Sequence, residues 1–413
     1  MAAELDVSTE RRRRPKDRKA QIARVSAEAF SELGYHGVSM EDIAGRVGVT
    51  AASLYRHYSG KYDLFQAAVL GLGQQLVECT AFLDDTWSDP EQTWNRAVTA
   101  LIDTALTNRT SGGLYRWEGR YLRPADQQLL NQQIKLVNRR LQQPMAQLRP
   151  HLDSHQRWIL SSAVLSVIGS ITDHHARLDT DRIHSTLATI AAHVRDTDLP
   201  TNTRTGRRTI RITVDAAAGE YEQILHAAMV LFNERGYRDT AMDDIAAAAN
   251  ISTTSIYRFF TSKGALLATV YRRAADRVSS DLSLILAGAD DPRDAVSRLA
   301  EAYVLRSFAD PDLAYVYYAE RVNVPAEDRV ALHNIQRATV AAWAGQVAAV
   351  HPEMSTEEAH FVVHAGFALV VDLGRFMQYA TSESALGIVR HLLLTTLIND
   401  VPEPNRWFQT VTE

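Results

Sequence analysis

The sequence holds one cysteine, Cys79, in 413 residues. That rules out an intrachain disulfide, a cysteine zinc site and an iron–sulfur cluster. It fits a reducing, cytoplasmic compartment. Aromatic residues are few, at 8%, so aliphatic packing is expected to dominate the core. No apolar run reaches the roughly 18–20 residues of a membrane span, and no membrane partner is expected. The N-terminus is polar and then basic, without an apolar segment behind it, which argues against a signal peptide. Lysine is scarce: five of 44 basic residues, namely Lys16, Lys19, Lys61, Lys135 and Lys263. This arginine-heavy, alanine-rich usage suggests a GC-rich genome of the actinobacterial kind.

What remains is ordinary for a globular chain: 46% hydrophobic and 23% charged. The length predicts two to four domains. A net charge of −5 by itself argues against nucleic acid. The distribution argues otherwise. Residues 11–65 carry a net +5 and residues 204–267 a net +1, so the remainder carries −11. Positive charge gathered in one segment reads as an anion-binding face.

A gapless internal repeat sets the architecture. Residues 22–65 align with 224–267, and 14 of 44 positions are identical, among them Phe30/Phe232, Gly34/Gly236, Tyr35/Tyr237, Asp42/Asp244, Ser53/Ser255, Tyr55/Tyr257, Arg56/Arg258 and Lys61/Lys263. The period of 202 is too long for a solenoid, so the chain reads as two covalently joined subunits.

Each copy spells a three-helix module. Ile22, Val25, Ala29, Phe30 and Leu33 follow helical spacing, and Gly34 or Gly236 ends that helix. Ser39 and Asp42 form a capping box for a second helix. The copy offers Thr240 and Asp243, shifted by one residue. Gly48 and Asn250, the types that best tolerate positive φ, force a sharp turn. Thr50 and Ser252 can then cap a third helix. Two short helices across a tight turn form a helix-turn-helix, whose second helix suits the DNA major groove. Its outward set is Thr50, Ala51, Ala52, Ser53, Tyr55, Arg56 and His57 in the first copy. In the second it is Ser252, Thr253, Thr254, Ser255, Tyr257, Arg258 and Phe259. Small hydroxyl residues permit close approach, while Tyr and Arg reach phosphates or base edges. Lys61 and Lys263 open the next helix, where a cation opposes the helix dipole. That implies a job outside the fold, and a phosphate contact is the candidate.

The pattern Ile-x6-Leu/Ala-Phe-x3-Gly-Tyr, then Asp-Ile-Ala, then Val/Ile-Thr/Ser-x2-Ser-Leu/Ile-Tyr-Arg-x-Tyr/Phe-x2-Lys, resembles the DNA-binding domain of the TetR family. The resemblance covers about 45 residues, twice. It implies an all-α fold of two tandem units, each a helix-turn-helix head followed by a ligand-binding and dimerisation domain. It carries DNA contacts over to Ser39, Thr50, Tyr55, Arg56 and Lys61, and to Ser252, Tyr257, Arg258 and Lys263. The chain departs from the family at Ala51 and Thr253, where Lys or Arg is common, and at Thr254, where Gly or Ala is usual. The tandem arrangement, the basic arm Arg11–Lys19 and the stretch Trp117-Glu118-Gly119-Arg120-Tyr121-Leu122 resemble double-headed actinobacterial repressors. One type of these controls a mammalian-cell-entry operon.

The domains expected are a basic arm (1–20), a first head (21–66), a first regulatory domain (67–197), a basic linker (198–217), a second head (218–268) and a second regulatory domain (269–413). Arg13, Arg14 and Lys16 in the arm can lie on phosphates or in the minor groove. Asp89-Pro90 and Asp291-Pro292 open helices. Final helices at 155–178, 181–196, 355–380 and 383–400 suit a four-helix bundle built by one chain. A homodimer with four heads is the alternative. Aromatic residues of the middle helices are candidates for lining an apolar effector site: Trp94, Tyr115, Trp117, Tyr121 and Trp158, then Tyr303, Tyr318, Trp343 and Phe367. For any one of them a core role is the plainer reading.

Catalytic and metal readings are poor. His360 and His364 with Glu357, and the pairs His151/His155 and His174/His175, are isolated histidine pairs, so no metal or cofactor is expected. No nucleophile elbow, phosphate-binding loop or metalloprotease motif is present, so the chain is not expected to be an enzyme. The expected function is a repressor that binds double-stranded DNA and is released by a small hydrophobic effector. A low-specificity architectural DNA binder is the competing reading. An enzyme with a relic head is a third.

Overall fold

A computed structural model describes residues 15–200 and 219–399. Arg13, Arg14 and linker residues 201–217 lie outside that range. Lys16 falls in the first turn of a helix. The described residues contain α-helices and short single turns of tighter helix, with no strand among them.

The first half holds α1 (Pro15–Gly37), α2 (Met40–Val47), α3 (Ala51–Leu54), α4 (Lys61–Cys79), α5 (Pro90–Thr107), α6 (Gly113–Trp117), α7 (Pro124–Leu148), α8 (Ser154–Gly169) and α9 (Thr180–Asp196). The second holds α10 (Glu220–Arg235), α11 (Met242–Ala248), α12 (Thr253–Ile256), α13 (Lys263–Gly288), α14 (Pro292–Ala309), α15 (Pro311–Ala319), α16 (Ala326–Val350), α17 (Thr356–Phe376) and α18 (Glu383–Ile398). The starts of α2, α3, α4, α5, α7 and α8 each recur 202 residues later. The repeat visible over 44 residues of sequence therefore runs through the helices behind the heads as well.

Local chemistry sets most boundaries. Gly34 (φ 73°, ψ 160°) and Gly236 (φ 84°, ψ 156°) break the first helix of each half. That conformation is open to glycine alone. Asp89 and Asp291 cap α5 and α14 through the amides of Gln92 and Asp294, with proline at the first helical position. Asp153 with Gln156, and Ser355 with Glu358, close reciprocal boxes at α8 and α17. The shifted box does not form. Thr240 is buried, and its hydroxyl donates to Gly236 O at 2.8 Å. Asp244 accepts from the amide of Ala241 instead, at 2.8 Å.

By contacts the chain divides into two compact units. One comprises residues 1–74 with 110–130, and the other 75–109 with 131–413. The α6 segment thus groups with the first head. In the larger unit, α8 and α9 pack with α17 and α18 as a four-helix bundle supplied by one chain. One hydrophobic core runs through it, from Leu83 and Trp94 to Leu397 and Ile398. Polar pairs cross the bundle: Ser166 Oγ donates to Asp372 at 2.6 Å, and Thr197 Oγ1 bonds His391 Nε2 at 2.7 Å. Helix α8 stops short of the expected 155–178. A turn at 170–172 leads into a loop whose Asp173 carbonyl accepts from Arg321 at 3.0 Å.

Helix α17 corrects the reading of apolar runs. By length and composition it could cross a membrane, with a mean hydropathy of 1.3 over its most apolar window. Here 67% of that window is buried inside the fold, as in a core helix of a bundle.

Candidate nucleic-acid interface

The turn before each recognition helix forms as the residues dictate. Gly48 (φ 72°) and Asn250 (φ 56°) occupy the left-handed region. The amides of Val49 and Ile251 reach back to Ala44 O and Ala246 O at 2.9 and 3.0 Å. Thr50 caps α3 by accepting from the amide of Ser53, and Ser252 caps α12 by accepting from the amide of Ser255. Leu54 and Tyr58 anchor the first recognition segment in the core, and Ile256 and Phe260 the second.

That anchoring presents Tyr55 and Tyr257 to solvent, each 53% exposed, with Arg56 and Arg258 exposed beside them. Thr50 and Ser252 are exposed, and Ser53 is half-buried. The heads then diverge. His57 is half-buried, but its counterpart Phe259 is 43% exposed. Thr253 Oγ1 donates to Asp243 at 2.7 Å, which ties α12 to α11.

Three expected contacts acquire jobs inside the fold. Ser255 is buried, with its hydroxyl between Ser252 Oγ (3.0 Å) and Arg258 Nη2 (2.9 Å). It positions an arginine and does not face outward. Ser39 Oγ donates to Asp42 at 2.6 Å and accepts that residue's amide at 3.1 Å. These bonds hold the Asp42 carboxyl below its ordinary range. Lys263 is the third. Its ammonium donates to the carbonyls of Tyr237 (2.7 Å), Arg238 (3.3 Å) and Thr240 (2.6 Å), and lies 4.5 Å over the Tyr237 ring. Burial pushes its pKa down. All three donors are spent on the chain after Gly236, so a cation at this helix start does not imply an outside partner. Lys61 sits 4.6 Å over the Tyr35 ring and makes no hydrogen bond among the described residues. Its donors suit a phosphate. Lys263→Met is expected to destabilise the second head by about 1–3 kcal/mol, because three carbonyls lose a charged donor. Faster amide exchange across residues 237–246 checks this. Unchanged exchange, with a salt slope of DNA binding smaller by about one, would instead restore the phosphate role.

Sequence reasoning missed a buried carboxylate shared by both halves. Glu118 accepts the amide of Tyr35 at 2.9 Å, and Glu320 that of Tyr237 at 3.0 Å. Each fastens the segment after α6 or α15 to the turn that ends its head's first helix. The two glutamates stand 202 residues apart, so extending the repeat would have found them. In the second half the tie is wider. Tyr271 Oη donates to Val316 O and Tyr317 O at 2.8 Å, and Leu313 and Val316 belong to the head's own core.

On its other side α15 borders a cavity, partly open to solvent, between α13, α14, α15, α16 and α17. Tyr303, Tyr318 and Phe367, three of the expected effector residues, line it. Trp343 stands behind them, packed edge-on to Phe367 at 5.0 Å. The remaining candidates sit elsewhere. Trp94 is core, with the Arg195 guanidinium against its ring. Trp158 stacks on Phe376. Trp117 is buried, Tyr115 is half-buried, and Tyr121 stacks on Tyr35 of the first head. Tyr121 thus packs against the first head and does not line this cavity.

A family profile described as "Bacterial regulatory proteins, tetR family" matches residues 22–68 and again 224–270. The chain is 35% identical over 92 residues to the HTH-type transcriptional activator FasR of Mycolicibacterium smegmatis, covering 22% of this chain and 42% of that protein. It is 31% identical over 116 residues to the HTH-type transcriptional repressor KstR2 of Rhodococcus jostii, covering 27% of this chain and 55% of that one. The solved structure of the ketosteroid transcriptional regulator KstR2 of Mycobacterium tuberculosis aligns with 47% of this chain and 100% of its own, at 18% identity and a TM-score of 0.40. The chain spans about half the length of the curated relatives it matches. Two exposed recognition helices, each held by the same turn and cap, and two profile matches over the same residues lead to one assignment: residues 22–68 and 224–270 are tandem helix-turn-helix domains of the TetR family.

Proposed function

We propose that the chain is a TetR-type transcription regulator, a cytoplasmic repressor that grips double-stranded operator DNA with two unequal heads. The carrying observation is the pair of matched scaffolds presenting Tyr55-Arg56 and Tyr257-Arg258 to solvent. Thr50 and Lys61 complete the first surface, and the second adds Phe259. Arg13, Arg14 and Lys16 in the preceding sequence are further cations suited to phosphates. Unequal surfaces read unequal half-sites, so the operator is asymmetric. The intrachain bundle makes the chain a pseudo-dimer, and a homodimer would carry four heads. The tandem heads fit the double-headed repressors of mammalian-cell-entry operons.

A small apolar ligand entering the second half releases the DNA. Helix α15 supports this reading, because Leu313 both lines the cavity and belongs to the second head's core. A ligand that shifts α15 also shifts Glu320 and the Tyr237 amide it holds. Footprinting on genomically mapped sites tests the heads. The expected result is one site with two different protected half-sites. Equal protection of two identical half-sites would sink the asymmetry. Binding to random DNA within about tenfold of the best site would favour a low-specificity architectural binder, since specific regulators discriminate by about 10³-fold or more.

A further inference from the structure

We infer that the second-half cavity takes an uncharged molecule, an apolar body ending in one hydroxyl or carbonyl group, and rejects carboxylates and coenzyme A thioesters. This rests on the ligand-controlled reading above and names the ligand's class.

The walls come first. Val278, Leu313, Ile335, Val340 and Phe367 make most of the cavity apolar. Two charged groups reach the lining, Arg306 and Asp310. Each already has a counter-ion from outside it. Arg306 pairs with Asp281, and Asp310 pairs with Arg277 at 3.4 Å. Both charges are therefore already countered, and Arg306 Nε is left open, buried and without a hydrogen-bond partner among the described residues. A carboxylate entering the cavity would lose its water and meet only a cation already paired with Asp281. The phosphates of a coenzyme A ester need arginine or lysine, and Arg306 is the one such cation in the lining.

The polar end is equally specific. His364 lines the cavity and makes no hydrogen bond among the described residues. Burial holds its pKa at about 4, so the ring is neutral at physiological pH. A neutral imidazole has one donor and one acceptor, which matches a hydroxyl, or a carbonyl with the donor alone. The ring is fixed by stacking on His174, with centroids 4.1 Å apart and planes 12° apart. His174 belongs to the first half, so both halves build this end of the site. The hydroxyls of Tyr303, Tyr318 and Ser307 form a linked cluster in the same lining.

The test uses the full chain without DNA and three probes on one skeleton: hexadecanol, hexadecanoate and hexadecanoyl-coenzyme A. Calorimetry and thermal shift read binding. Hexadecanol is expected to bind at least about tenfold more tightly than either charged probe, from the cost of burying an unpaired charge. Equal or tighter binding of hexadecanoate or its thioester would overturn the inference, and so would binding of none of the three. His364→Phe keeps a ring against His174 and removes the polar end. It should weaken hexadecanol about tenfold by loss of the hydrogen bond, and unchanged affinity would overturn the assignment of His364. DNA release is read separately. Selective binding of hexadecanol without release would leave the ligand class standing and remove ligand control.

Discussion

Alanine at both Tyr55 and Arg56 is expected to lower affinity for the mapped operator by about 100-fold or more, since each lost base or phosphate contact costs about 1–3 kcal/mol. The same pair of changes at Tyr257 and Arg258 should cost less. The asymmetry follows from what stands beside each pair. Lys61 keeps its ammonium donors for a phosphate, while Lys263 has given its three to carbonyls. The first head also lies in the basic segment, and the second is close to neutral. Tyr55 and Arg56 are exposed, so the fold should hardly notice the change; surface substitutions fall within about 0.5 kcal/mol. Titration of labelled operator with both double variants and wild type reads the result. A larger loss at Tyr257 and Arg258 would reverse the assigned order of the heads.

Trp343→Ala should be among the most destabilising single changes in the second half, at about 3–5 kcal/mol. The side chain is 2% exposed and wedged against Tyr303 and Phe367. Both neighbours form the cavity wall in front of it, so truncation extends an existing void. Trp343→Phe should behave differently. The indole Nε1 is buried and has no hydrogen-bond partner among the described residues. Both variants remove that unsatisfied donor, worth about 1–3 kcal/mol, but phenylalanine also keeps a ring against Tyr303 and Phe367 and so loses less packing. A cost below about 2 kcal/mol is expected for it. Urea unfolding of the three chains gives both numbers. A cost for Trp343→Phe well above about 2 kcal/mol would mean that the indole N–H has a partner, since removing it would then bring no relief.

The heads were legible where local chemistry alone fixes the backbone. Gly48 and Asn250 are the residue types for positive φ, and Thr50 and Ser252 are the types for a helix start. The direction of a side chain on a four-residue helix is another matter. Ser53 and Ser255 share a repeat position, but one is half-buried and the other buried. The difference depends on where Arg258 folds back. Lys263 misled because a cation at a helix N-terminus looks unsatisfied until the neighbouring loop supplies carbonyls from 23–26 residues away. Such partners lie beyond any window of local spacing. The cavity was half legible. Tyr303, Tyr318 and Phe367 announced it as aromatics in the middle helices, but Arg306, Asp310 and His364 are drawn together by five helices at once.

The polar pairs across the bundle occur once each. Ser166 meets Asp372, but the residues at the mirrored positions, Ser170 and Ala368, cannot repeat that ion-like bond. Thr197 meets His391, while the mirrored positions hold Thr189 and Asn399. In a symmetric homodimer every contact is made twice, and every substitution strikes both sides together. Joining the halves in one chain removes that constraint. Each side of the seam can specialise alone, and the first half meets in the second a complement that a copy of itself would not provide.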